Sequence, residues 1–245
     1  MTFTHLPPRL QSLFDAQHSA SRAQAVVSLA VRRERLLKIR MLLDTHGAAL
    51  AQAVQADFGV RSLQLTEIAD LFVLRTLISS TLKNLPKWMK AVKVRTPLYL
   101  KPAHAYLQRQ PLGVVGVISP WNYPVQLALG PVITALAAGT RVMLKPSELT
   151  PQTSALLADL IGQSFASDEV CVVQGDGSVA AEFASLPFGG VGESGWGAYH
   201  GETGFLRLTQ QKPVLFQSRW ARGDLFYPPY GRRYDQVMGL LKRLI

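Results

Sequence analysis

Three apolar runs, "GVVGVIS" (113–119), "TRVMLKPS" (140–147) and "VCVVQGD" (170–176), each give way to a helix-forming stretch. None of them alternates polar with apolar residues, as a strand with one wet face would. A continuous apolar run suits a strand covered on both sides. The order strand, helix, strand, helix then calls for parallel strands joined by crossovers. The fold class predicted is α/β, half of a doubly wound parallel sheet, with Thr150 or Thr153 capping its second helix. Ligands of such sheets sit at the carboxyl ends of the strands. That places residues 119–122, 145–148 and 175–176 on a ligand rim.

The flanks read differently. Leu29, Leu36, Leu43 and Leu50 are spaced by seven, but Arg33, Arg40 and Gly47 occupy the column a zipper would need apolar. The spacing predicts an amphipathic helix or helix pair over 20–57, bent near His46-Gly47, and a further helix over 64–82. "LYLKPAHAYLQRQ" (98–110) suggests an extended hairpin arm. In "SLPFGGVGESGWGAYHGETGF" (185–205), Gly190, Gly192 and Gly195 have dinucleotide-turn spacing. No apolar strand precedes them, so the stretch reads as a glycine-rich loop.

Composition narrows the class. With 48% hydrophobic and 17% charged residues, the 245-residue chain is globular rather than disordered. Its single cysteine, Cys171, permits no internal disulfide and no cysteine-based metal site, which fits a reducing, cytoplasmic setting. "MTFTHLPPRLQ" has no apolar core for a signal peptide. Residues 110–140 carry no charge, yet "SPWNYP" and Pro131 interrupt them, so no membrane span is expected. The formal charge of +10 raises nucleic acid as a partner. The basic residues are dispersed along helix faces without interleaved aromatics, so no nucleic-acid partner is expected.

The rim carries specific chemistry. Asn122 offers an amide donor at the mouth of the sheet, suited to a developing oxyanion, with Trp121 as a wall. Taken alone it reads first as a turn asparagine between Pro120 and Pro124, a common arrangement. Lys145 and Glu148 suit the hydroxyls of a ribose, or form a surface ion pair of little weight. Ser147 sits where the turn needs a small residue.

"QPLGVVGVISPWNYPV" followed by "AAGTRVMLKPSELTPQTS" resembles the NAD(P)-binding half of the aldehyde dehydrogenase superfamily, in its class 3-like branch with the coniferyl aldehyde dehydrogenases. "LPFGGVGESGWGAYHGETGF", "KPVLFQS" and "YPPYG" resemble that branch's C-terminal segment and tail. The resemblance implies a Rossmann-like sheet with N-terminal helices and a small antiparallel oligomerisation sheet. Its expected parts are N-terminal helices over 1–97, an oligomerisation arm over 98–112, a partial nucleotide-binding unit over 113–188 and a C-terminal segment over 189–245. It implies oxidation of an aromatic or medium-chain aldehyde to a carboxylic acid with NAD or NADP. Asn122 would be the oxyanion donor. Ile118, Ser119 and Trp121 would line the nicotinamide side of the cleft, beside Asn122. Lys145, Ser147 and Glu148 would lie at the adenosine ribose, and Gly175 at the adenine end. Glu148 would repel a 2′-phosphate and so favour NAD, with NADP left open. The partner implied is a second copy or a full-length relative.

The same resemblance exposes a gap. In the family, a further pair of strands and the whole catalytic domain separate the third helix from the C-terminal segment. Here "AAEFASLPF" runs directly into "GGVGESG", as though an internal deletion joined two halves at Leu186-Pro187-Phe188. The segments bearing the nucleophilic cysteine and the base glutamate are missing. Cys171, mid-strand, reads as a small buried hydrophobe, and nothing places Glu182 or Glu193 beside a nucleophile. The chain is therefore expected to be inactive, with weakened cofactor binding, or to serve as an interaction module. Residues 113–119 should form an unpaired edge, and a C-terminal strand over 205–217 should pair with the arm.

Overall fold

The computed structural model describes residues 8–24, 26–96, 101–186 and 201–216, and the single positions 232 and 236. The Phe188–Gly189 junction, Glu193 and the dinucleotide-like glycines lie outside the described residues, as does most of the tail. Two compact units emerge, one from residues 1–89 with 109–210, the other from 90–108 with 211–245.

The first unit is built on a parallel sheet of β3 (Val114–Ile118), β4 (Arg141–Lys145) and β5 (Val170–Val172), in that spatial order. Val114 pairs with Arg141 and Ile118 with Lys145, while Val142 pairs with Val170. Strand geometry sends successive side chains to opposite faces. Val117, Val142, Leu144 and Val170 enter one core, against α2 (Leu29–Phe58), α5 (Gln126–Ala138) and α6 (Pro151–Ser164). Val114, Met143, Cys171 and Val173 enter another, against Leu10 and Phe14 of α1 (Pro8–Ala23) and Phe183 of α7 (Gly177–Ala184). Both faces are covered, which is why the strands do not alternate. Among the described strands β3 is an edge.

Local chemistry corrects several expectations. The N-terminal helix does not run over 20–57 with a bend at Gly47. One helix ends at Ala23, and the Ser28 hydroxyl accepts from Val31 N to start α2 at Leu29. Helix α2 then continues through Gly47, which allows close approach of a neighbour: a Cβ there would stand 2.9 Å from Arg75 Nη2 and 3.3 Å from Leu71 Cδ1. The side chains of Thr150 and Thr153 do not cap α6. Asp57, at the end of α2, accepts from Gln152 N and Thr153 N, both at 2.9 Å, and from the Thr153 hydroxyl. A helix end is satisfied by a distant carboxylate that no local motif announces. The helix expected over 64–82 is composite, with α3 (Leu63–Thr66), a π-turn (Glu67–Phe72) and α4 (Val73–Trp88).

Residues 201–207 form a helix, α8 (Gly201–Arg207), rather than the start of a strand. Phe205 is fully buried there, 5.7 Å from the Trp88 ring, and this burial outweighs extension of the segment.

In a second sheet β1 (Val92–Val94) pairs antiparallel with β2 (His104–Pro111), Val92 opposite Leu107. The three-stranded order is β1-β2-β6, with β6 spanning Thr209–Phe216. The arm therefore pairs with the C-terminal strand as expected. No helix among the described residues is long and apolar enough to cross a membrane.

Candidate functional site

The loop after β3 is held from behind by a buried ion pair. Ser119 N continues the sheet ladder to Lys145 O at 3.0 Å. Beyond it Ile118, Trp121, Asn122 and Tyr123 are exposed. Arg61 Nη1 donates to the Asn122 carbonyl at 2.6 Å, and its Nη2 meets Asp70 Oδ2 at 2.8 Å. Asp70 Oδ1 accepts from Gln126 N at 2.9 Å, so one carboxylate ties the guanidinium to the start of α5. The guanidinium also lies over the rings of Phe58 and Tyr123, 5.2 and 4.7 Å from their centroids. Burial pushes the Asp70 carboxyl above its ordinary value, while the Gln126 amide and Arg61 pull it back. This clamp fixes the backbone on which the Asn122 amide stands. Trp121 packs at 6.1 Å on Phe58, and the buried Ser119 hydroxyl has no hydrogen-bond partner.

The loop after β4 is more open. Lys145 is buried, and its ammonium donates to Glu148 Oε2 at 2.5 Å. The Glu148 side chain is 42% exposed, against 2% for Lys145. The hydrogen bond from Lys145 holds the Glu148 carboxyl below the usual carboxylate range. Ser147 is buried and structural: its hydroxyl accepts from Leu149 N, and its carbonyl accepts from the Ser154 hydroxyl at 2.8 Å. After β5, Asp176 accepts from Ser178 N and caps α7. The Ser178 hydroxyl bond lowers its carboxyl, and its charge is felt at Glu148. Gly175 lets α7 close on the strand end, since a Cβ there would lie 2.5 Å from Val179 Cγ2.

The strand ends thus bring together Lys145, Glu148 and Asp176, with Ile118, Trp121 and Asn122 on the neighbouring loop. An ammonium donor beside a half-open carboxylate acceptor fits a vicinal diol, the chemistry of a ribose. Cys171 is not part of this rim. It lies in the core under α1, only 8% exposed, with Gln17 Nε2 at 3.5 Å from its sulfur. Burial pushes its thiol up to about 12. At pH 7 the thiol therefore stays protonated, and the thiolate is the nucleophile.

The sequence pattern missed Arg61, Asp70 and Asp57. Asp70 had one usable signal, a lone acid within the apolar "ADLFVL". Its partner lies nine residues away across a π-turn, where no helical spacing pairs the two.

A sequence profile described as the aldehyde dehydrogenase family matches residues 9–185. A protein of Pseudomonas aeruginosa named "Probable coniferyl aldehyde dehydrogenase" is 43% identical over 180 residues, covering 74% of this chain and 38% of that protein. The coniferyl aldehyde dehydrogenase of Pseudomonas sp. strain HR199 is 42% identical over the same length, covering 37% of it. The substrate-bound AldH of Staphylococcus aureus superposes with a TM-score of 0.69 at 29% identity, over 73% of this chain and 39% of that one. The chain therefore spans less than two-fifths of the length of these relatives.

Proposed function

The chain belongs to the aldehyde dehydrogenase family, and from that premise we propose that it is a non-catalytic member keeping part of a nucleotide-binding rim. The family chemistry is oxidation of an aldehyde to a carboxylic acid with NAD or NADP, and the relatives' names point to aromatic aldehydes of the coniferyl class. That chemistry needs a thiolate to attack the carbonyl and a base to activate water. The observation that carries the reading is Cys171, the one cysteine of the 245 residues, sealed in the core with its thiol at about 12.

Lys145 and Glu148 would hold the adenosine ribose, and Gly175 would border the adenine end. Ile118, Ser119 and Trp121 would flank the nicotinamide side, with Asn122 presenting its amide to a carbonyl oxygen. NAD would supply a hydride acceptor when bound. Glu148, held ionised by Lys145, disfavours the 2′-phosphate of NADP by like-charge repulsion. Residues 113–188 would form the partial nucleotide unit and β1-β2-β6 the surface for a second copy or a full-length relative. An internal deletion joining the halves near Leu186 accounts for a family match that ends at residue 185.

Calorimetric titration tests the rim. NAD should bind more weakly than micromolar and more tightly than NADP, with Glu148→Gln narrowing that preference. Tighter binding of NADP, or a preference untouched by Glu148→Gln, would contradict the assignment.

A further inference from the structure

The amino end of the parallel sheet, remote from the rim, holds a cavity of about 320 Å³. Gly113, just before β3, and Gly139, just before β4, lie on its wall. Arg22, Arg35 and Arg141 line it, and among the described residues no carboxylate side chain does. Arg35 Nε is held by Glu169 at 2.7 Å, and Arg141 Nη1 by Asp168 at 3.1 Å. Arg22 has no ion pair among the described residues. Arg35 is 2% exposed, and its buried Nη1 has no hydrogen-bond partner. A guanidinium carries five donors in a rigid fork, so the bond to Glu169 leaves Arg35 with donor capacity and its full positive charge at the cavity wall.

A fourth guanidinium adds to the field. A Cβ on Gly139 would lie 2.8 Å from Arg32 Cζ. Arg32 donates to the carbonyls of Val27 and Ala137, and among the described residues it has no ion pair. Its own burial, and then the charge of Arg35, bring its pKa down to about 10. Among the described residues, four guanidinium groups thus share two carboxylates. The remaining wall is mixed, with Val27, Pro111 and Leu112 apolar.

We propose that this cavity binds a small organic phosphate, its anionic group drawn by Arg22, Arg35 and Arg141 and its organic part lying on Val27, Pro111 and Leu112. Bidentate guanidinium–phosphate pairing is the expected contact. The volume is at the lower end of the about 300–1,000 Å³ usual for ligand pockets, which suits a molecule smaller than a nucleotide.

The test uses inorganic phosphate and phenyl phosphate as probes, titrated at constant ionic strength and read by calorimetry and phosphorus NMR. Both should saturate one site, phenyl phosphate about tenfold more tightly for its apolar contact. Arg22→Gln, at an exposed side chain without an ion-pair partner, should keep the melting temperature and weaken both probes about tenfold. Glu148→Gln, on the opposite rim, should leave both affinities unchanged. Failure of either probe to saturate, equal affinity for the two, binding indifferent to Arg22→Gln, or binding lost with Glu148→Gln would each overturn the assignment.

Discussion

Two ion pairs stand behind the two loops of the rim, and they differ in one respect. Arg61 and Asp70 are closed off, with side-chain exposures of 7% and 0%. Lys145 is equally closed, but its partner Glu148 is 42% exposed. The first pair is turned inward on the protein, onto a backbone carbonyl, a backbone amide and two rings, with Arg61 Nε buried and unpartnered. The second leaves a carboxylate half in water. A polar group fully enclosed and partnered shapes a loop, whereas one left half open is available to a ligand. Cys171 belongs with the enclosed class and Glu148 with the open one.

That contrast is sharpest at Arg61. Arg61→Ala leaves the Asp70 charge buried without its cation and should cost about 3–5 kcal/mol in denaturant unfolding. A loss below about 1 kcal/mol would mean that the clamp does not hold the loop. Gly175→Ala comes next. The methyl would meet Val179 at 2.5 Å, and overpacking of this kind costs about 1–3 kcal/mol.

Cys171 gives a pH signature. Its thiol sits at about 12 in the fold against an ordinary value of 9.0, so between those values the unfolded chain loses a proton that the native one keeps. Stability from this group is complete below pH 9 and falls as pH rises towards 12, by up to about 1.4 kcal/mol per unit. Subtracting the unfolding curves of Cys171→Ala isolates the slope. A flat difference would show the sulfur to be open to water. Glu148→Gln should have the smallest effect, within about 0.5 kcal/mol, because its pair is solvent-screened. Its consequence should appear in NAD affinity instead.

The sequence made the parallel sheet legible because β3, β4 and β5 are apolar on both sides, a pattern few folds share. The strand-end positions followed from that topology, and Asn122, Lys145 and Glu148 stand on the rim where expected. Tertiary partners were not legible. The Asp57 cap on α6 spans 95 residues, and the Arg61–Asp70 clamp depends on a π-turn that shifts the helical phase. The start of α2 at Leu29 was hidden because Ser28 sits inside a run that otherwise favours helix. Ser147 showed only as a small turn residue, and its buried hydrogen bonds to Leu149 and Ser154 appear only in three dimensions.

The central claim is that a thiol locked in the core beneath α1 cannot act as the nucleophile of aldehyde oxidation. Following NADH formation by the purified protein with an aromatic aldehyde and saturating NAD tests it most directly. The account predicts no NADH above the protein-free control, with wild type and Cys171→Ala indistinguishable. Steady turnover by the wild type that disappears in Cys171→Ala would contradict it.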